Sequence, residues 1–171
     1  TATHRLQKAL GDVLGGQVHQ AGSYQDDKLT HFDFTHFSAV TPEELRKVED
    51  RVNEKIFEAL PVTIQNLPIE EAKKMGAMAL FGEKYGSVVR VVDAGGWSTE
   101  FCGGTHVTNT AHIGCFKILS ESTVAAGIRR IAATTAHRVL NLLDERTEQL
   151  AKTAVALTAT HLPAAPARAA P

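Results

Sequence analysis

Apolar residues recur along this chain with two different periods, and each period predicts a different kind of element. Over residues 2–14, Leu6, Ala9, Leu10, Val13 and Leu14 fall three and four apart, predicting a short helix with one apolar face that Gly15-Gly16 ends. Residues 17–24 and 29–34 flank the polar stretch Gln25-Asp26-Asp27-Lys28 and predict a hairpin. The two-residue period puts Phe32 and Phe34 on one face of its second strand. Thr41-Pro42-Glu43-Glu44 opens the best-marked helix: Thr41 caps, Pro42 takes the first helical position and Glu44 completes a capping box. Its stripe is Leu45, Val48, Val52, Ile56 and Leu60, and Pro61 stops it.

Further on, residues 62–66 predict a strand, and Pro68 opens a second capped helix over 69–75 that closes at Gly76. Residues 77–81 fit neither period, and 82–86 read as a loop. The valine-rich run 87–93 predicts a buried strand, with two more strands over 113–120 and 128–134. Over 135–158, Ala136, Leu140, Leu143, Thr147, Leu150, Ala154 and Leu157 form a heptad-like seam. That seam suits a coiled coil or packing onto the domain surface. The last residues are alanine and proline apart from Arg168 and read as a linker or tail. There is no internal repeat.

Composition narrows the class. The chain has 171 residues, 43% hydrophobic and 22% charged, enough for one domain with a core and an appendage. Net charge is −1, so a polyanionic partner does not follow from charge; Lys73-Lys74 and Arg129-Arg130 are local basic candidates that equally suit a solvated face. Two cysteines make no disulfide framework and fit a reducing compartment. No apolar run approaches a membrane span, and the N-terminus carries no signal pattern. The start at Thr1 without methionine reads as a fragment or processed chain.

Chemistry concentrates at Cys102-Gly103-Gly104-Thr105-His106, after a second glycine pair at Gly95-Gly96. Thiolate sulfur and neutral imidazole four residues apart can turn toward one zinc ion. Two ligands do not complete a site, and His4 is the candidate third. Such an ion would polarise an ester carbonyl or acidify a bound water. The competing reading is a small buried cysteine beside a satisfied histidine. His19, His31, His36, His112, His137 and His161 read as surface or packing residues, and Cys115 as core. The glycine pairs match neither nucleotide-binding fingerprint; they let backbone approach a ligand, or make two ordinary turns.

Several segments, in order over about residues 1–134, resemble the editing domain of alanyl-tRNA synthetase, shared with freestanding AlaX-type deacylases. They are Thr1-Ala2-Thr3-His4, Gln20-Ala21-Gly22-Ser23, His31-Phe32-Asp33-Phe34-Thr35-His36 and the run from Gly76 to Tyr85. They continue with Val91-Val92-Asp93, Cys102 to Val107, and Gly127-Ile128-Arg129-Arg130-Ile131. The threonyl-tRNA synthetase editing domain is a more distant relative. The resemblance implies an α+β fold, with a mixed or antiparallel sheet packed with helices and a long C-terminal helix after it. It implies an editing domain over 1–134, the start of a helical spacer over 135–160 and a tail over 161–171.

The resemblance also implies a zinc held by a His-x-x-x-His and a Cys-x-x-x-His pair. Cys102 and His106 map onto the second pair and His4 onto the last histidine of the first; the remaining histidine would fall immediately before Thr1, so weaker zinc binding is expected. A further departure is the middle position of Ile131-Ala132-Ala133, commonly glutamate in the family. The implied activity is zinc-assisted hydrolysis of seryl- and glycyl-tRNA for alanine, as part of an ATP-using alanine-tRNA ligase of the cytoplasm. An alanine-sized pocket cannot exclude glycine and rejects an added hydroxyl only on the order of 10²-fold, so a second site is needed. The implied catalytic residues are Cys102 and Gln20; Gln20, Thr105, Gly103 and Gly104 would bind substrate, with Gln20, Thr105 and, less directly, Glu100 as candidates to read the serine hydroxyl. The implied partner is the acylated acceptor end of tRNA, with self-association through the C-terminal helix. The alternatives are a freestanding deacylase, a zinc-stabilised RNA-binding module, and an unrelated zinc hydrolase, against which stands the lack of a His-Glu-x-x-His helix.

Overall fold

The computed structural model describes residues 1–79 and 85–157. Those residues form an α+β fold: α1 (Ala2–Leu14), β1 (Gln20–Gln25), β2 (Thr30–Thr35), α2 (Pro42–Phe57), β3 (Val62–Pro68), α3 (Ile69–Lys74), β4 (Val88–Ala94), β5 (Ser98–Phe101), a 3-10 turn (Thr110–Ile113), β6 (Phe116–Ala125), β7 (Ile128–Thr135) and α4 (His137–Ala156). They fall into two compact units that divide between Ala136 and His137.

The first unit holds two antiparallel sheets, ordered β1-β2-β7-β6 and β3-β4-β5. One face of the larger sheet meets α1 and α2. Phe32 and Phe34 share that face, both fully buried and stacked at 6.2 Å, as their two-residue spacing predicts. They join Leu6 and Leu10 of α1, Val48, Val52 and Ile56 of α2, and Ile131 and Ala133 of β7 in one apolar cluster. The α2 capping box forms: the Glu44 amide donates to Thr41 Oγ1 at 3.2 Å, and the Thr41 amide donates to Glu44 Oε2 at 2.9 Å.

From Val89 onward the valine run of β4 is covered on both faces, because different groups pack on its alternate side chains. Val89 and Val91 pack with Ala72 of α3 and Phe101, while Val92 and Ala94 pack with Val62 and, partly buried, Cys102. Gly95 and Gly96 both take positive φ and turn the chain from β4 into β5. β5 was hidden to sequence reading inside the glycine-rich stretch. Met78 adds a parallel bridge at its edge, so the sheet is mixed there.

Some boundaries differ from expectation. The first hairpin strand starts at Gln20 rather than residue 17, after a turn through Gly15. Leu60 lies beyond α2, and the second helix has no side-chain cap, since Pro68 supplies no hydrogen-bonding group. The strand expected over 113–120 runs from Phe116 to Ala125 instead. Before it, Asn109 caps the 3-10 turn through the Ala111 amide at 2.8 Å, and Gly114 takes positive φ. Cys115 therefore precedes the strand and is only half-buried, not a core residue. The run 77–81 that fits neither period and the expected loop over 82–86 lie partly, over 80–84, outside the described residues, as do the tail and His161.

In the second unit, α4 bears out the long helix, starting at His137 because Ala136 takes positive φ. The seam residues Leu140, Leu143, Leu150 and Leu157 are exposed, whereas Val139 and Ala154 are buried. No described helix is long and apolar enough to cross a membrane.

Candidate functional site

Three elements of the first unit converge on Cys102. The first turn of α1 supplies Thr3 and His4, the end of β5 supplies Glu100, and the segment after β5 supplies Cys102 and His106. The β4–β5 ladder runs one residue past the strand, the Cys102 amide donating to the Arg90 carbonyl at 3.0 Å. Arg90 Nη1 then donates to the carbonyls of Cys102 at 2.5 Å and Gly104 at 2.7 Å. This clamp bends the segment so that His106 Nε2 lies 3.4 Å from Cys102 Sγ and the Gly104 amide points at the same sulfur at 3.4 Å. Thr1 Oγ1 faces His106 Nδ1 at 3.1 Å and accepts from the Val107 amide at 3.2 Å, which leaves Nε2 turned to the sulfur.

His4 comes from the other side. Its ring stands 4.8 Å from that of His106, and its Nε2 lies 3.5 Å from Glu100 Oε2. Glu100 is buried, and its Oε1 accepts from Ser98 Oγ at 2.9 Å. Burial pushes its carboxyl pKa up, while Ser98 and Arg5 hold it down. Burial, followed by the neighbouring His106, pushes His4 down to about 3, and burial pushes His106 down to about 4. Both imidazoles are therefore neutral at physiological pH, with a lone pair to offer.

The ligand atoms of His4, Cys102 and His106 lie within 4.8 Å of one another, the one cluster of its kind among the described residues. His4 Nδ1 is buried without a hydrogen-bond partner. A sulfur and two imidazole nitrogens so disposed, one of them orphaned, fit a zinc ion. Three protein ligands would leave a coordination position for water or substrate.

These groups form one wall of a cavity of about 340 Å³ that Gln20, Ser23 and Gln25 close from β1. Gln20 Nε2 donates to Ser23 Oγ at 3.3 Å. Gly104 and Thr105 also line the cavity, both exposed; Gly103 is exposed with open space around it. Glu100 lines it as well, but its carboxylate is engaged by His4 and Ser98. Sequence reasoning missed Thr3: it is 4% exposed, lines the cavity, and its Oγ1 is buried without a partner. It also missed Arg5, which is fully buried with its three guanidinium nitrogens unpartnered, 5.7 Å from the centre of the Trp97 ring. Spacing carries no signal for either, because a helix turn does not reveal which flank meets a strand from a different part of the chain.

Three of the four residues in the basic pairs hold an acid, while Lys74 is exposed. Arg129 holds Glu121 at 2.5 Å, Arg130 holds Asp33 at 2.6 Å, and Lys73 holds Glu70 at 3.0 Å. His31, His36, His112 and His137 stand outside the Cys102 cluster.

Residues 89–132, which span β4 to β7, match the family described as threonyl and alanyl tRNA synthetase second additional domain. Among curated proteins, the alanine–tRNA ligase of Bacillus velezensis is 62% identical over 135 residues, covering 79% of this chain and 15% of that protein. That of Lacticaseibacillus paracasei is 54% identical over 154 residues, covering 90% of this chain and 18% of that protein. That of Shouchella clausii is 55% identical over 168 residues, covering 98% and 19%. The chain thus spans less than a fifth of the length of the curated relatives it matches.

Proposed function

We propose that this chain is an editing domain of the alanyl-tRNA synthetase type and that it hydrolyses the ester of seryl- and glycyl-tRNA for alanine, a reading supported by the match of residues 89–132 to the second additional domain and by the similarity to alanine–tRNA ligases. The observation that carries the reading is the gathering of Cys102, His4 and His106 within 4.8 Å at a polar cavity that Gln20 also lines.

In this reading the acylated acceptor end enters with its amino acid in the cavity. A zinc held by His4, Cys102 and His106 would supply positive charge that polarises the ester carbonyl or orients the amino acid. Glu100 fixes the His4 ring, Thr1 and Arg90 fix His106 and Cys102, and so the donors are set before substrate arrives. Gln20 offers its carboxamide to the substrate, and Thr105 and the Gly104 backbone border the entry. Thr3 offers a hydroxyl with no internal partner, which suits the added hydroxyl of serine. Water oxygen adds to the carbonyl carbon, the bond to the ribose oxygen breaks, and the proton passes to that oxygen; free amino acid and tRNA result. Fixed geometry in place of random encounter accounts for much of the acceleration.

We assign this activity to residues 1–134, a spacer to 135–160 with self-association along its exposed leucines, and a tail to 161–171. The setting is the cytoplasm, where tRNA is charged, and the context is a longer alanine–tRNA ligase.

Deacylation of Ser-tRNA(Ala) by the purified chain tests the reading. Hydrolysis is expected, with loss on Cys102→Ala at unchanged thermal stability. Full activity in that variant would sink the role of the Cys102 cluster, and RNA binding without any hydrolysis would make the chain a binding module.

A further inference from the structure

Gln20, Ser23 and Gln25 all line the cavity at Cys102, yet along β1 they are spaced first three and then two residues apart. Side chains on a regular strand alternate between its faces. Ser23 and Gln25 then share a face, and Gln20 belongs on the other one with Tyr24. A β-bulge removes the contradiction. Ser23 stands opposite Phe32 and Gly22 opposite Asp33, but the residue opposite Phe34 is Gln20 rather than Ala21. Ala21 is the extra residue, and it is exposed. Directly opposed residues share a face, so Gln20 joins the face of Phe32 and Phe34, where its Nε2 donates to Ser23 Oγ at 3.3 Å. Tyr24 and His31 keep the other face, with their rings 6.2 Å apart.

The group that holds the extra residue in place lies just upstream of it. The Thr35 amide donates to the His19 carbonyl at 3.0 Å, and the His19 amide donates back to Thr35 Oγ1 at 3.0 Å. The same hydroxyl donates to the Gln17 carbonyl at 2.7 Å. From His19 to Ser23 the first strand advances four residues, while from Thr35 to Phe32 the second advances three. The surplus must be absorbed between these two anchors, and Ala21 absorbs it. β2 cannot shift to relieve it, because β7 pairs along its other edge, with Ile128 opposite Thr35. Without the anchor at His19, the regular ladder would run on from Ser23, setting Ala21 opposite Phe34 and Gln20 opposite Thr35. A slip of one residue turns a side chain to the other face.

We infer that Thr35 is a positioning residue for the site at Cys102: its hydroxyl fixes the bulge at Ala21, and the bulge turns Gln20 into the cavity. Thr35 is not among the described residues that line the cavity, so it acts through Gln20. Bulges recur beside active sites because one extra residue re-aims a side chain without disturbing the rest of the sheet. The effect on rate rests on the deacylase reading; the effect on strand register does not.

Thr35→Val removes the hydroxyl at nearly constant volume and keeps a residue that suits a strand. Two readouts are taken on the same proteins. Cross-strand nuclear Overhauser contacts report the register: Gln20 to Phe34 is expected in the unaltered protein, and Ala21 to Phe34 in Thr35→Val. Hydrolysis of Ser-tRNA(Ala) by Thr35→Val is expected to fall roughly ten- to hundredfold, the range for a misplaced group at a reacting centre. Deleting Ala21 from Thr35→Val should restore the rate, since a strand without the extra residue brings Gln20 opposite Phe34 by plain alternation. Shortening a strand would not repair a fold that is merely weakened. Unchanged contacts in Thr35→Val, or a loss of rate that the deletion does not restore, overturns the inference while the deacylase reading stands. If the contacts move as expected but the unaltered protein leaves Ser-tRNA(Ala) intact, the positioning of Gln20 by Thr35 stands and the deacylase reading falls.

Discussion

His4 Nε2 and Glu100 Oε2 lie 3.5 Å apart, joining the first turn of α1 to the third residue of β5. A carboxylate behind a histidine fixes the ring and raises its basicity as a ligand, and removing such a partner typically costs 10–100-fold in metal affinity. Glu100→Gln keeps the shape and loses the charge. Its zinc affinity, measured by competition with a chromogenic chelator, is expected to fall about tenfold or more. An unchanged affinity would reduce Glu100 to a packing residue.

Arg90 acts on the other arm of the cluster, donating to the carbonyls of Cys102 and Gly104 from one nitrogen. Lysine cannot reproduce a fixed planar donor. Arg90→Lys is therefore expected to broaden the visible absorption of the cobalt-substituted protein and to lower metal affinity, with the fold intact by circular dichroism. A cobalt spectrum identical to that of the unaltered protein would mean that the backbone holds the segment without help.

What could be read from the residues alone follows the range of the interactions. α1 and α2 were legible because apolar period and capping are local: Thr41 and Glu44 are three residues apart and bond as expected. The Cys102–His106 pair was legible for the same reason. β5 was not, since Ser98–Phe101 is a strand only through pairing with β4 across the glycine turn. Thr3 and Glu100 carried no local signal for their roles. Each acquires one only when α1 is laid against β5. The basic character of Arg129-Arg130 misleads for a related reason: the acids that pair with these arginines come from β6 and β2.

Arg5 tests the energetics of the helix that carries His4. It is fully buried, its guanidinium has no hydrogen-bond partner among the described residues, and burial pushes its pKa down. The Trp97 ring and the more distant charges of Glu100 and Asp93 offset the desolvation only in part. Replacing buried charge with an apolar side chain of similar volume is often neutral or stabilising by about 1–4 kcal/mol. Arg5→Leu is accordingly expected to raise the midpoint of urea unfolding at an unchanged slope. A lower midpoint would show that a buried partner or water holds the guanidinium more firmly than its contacts indicate.

The pair of Asp33 and Arg130 makes stability depend on acid. Arg130 Nε and Nη2 donate to the two carboxylate oxygens at 2.6 and 2.7 Å, and this hydrogen bonding holds the Asp33 carboxyl below its usual range. The contribution is thus fully present above the unfolded value of about 3.9 and is lost as pH falls through the folded one. Asp33→Asn should melt below the unaltered protein near neutrality, and the difference should shrink as pH is lowered toward about 3. A constant difference across that window would mean that the substitution acts through shape rather than charge.

Thr3 offers the sharpest test of selectivity. Its hydroxyl is buried at the cavity wall without a partner, an arrangement that is unfavourable in the free protein and useful only if a ligand supplies the missing bond. Thr3→Val removes the hydroxyl at nearly constant volume. Stability should hold or rise slightly, because no internal hydrogen bond is lost. Hydrolysis of Ser-tRNA(Ala) should fall about 3- to 10-fold in kcat/KM, the range expected for one ordinary hydrogen bond, while Gly-tRNA(Ala), which has no hydroxyl to bind, should be cleaved as before. If both substrates lose the same factor, Thr3 serves the general geometry of the site and the serine hydroxyl is read elsewhere, with Gln20 and Thr105 the next positions to change.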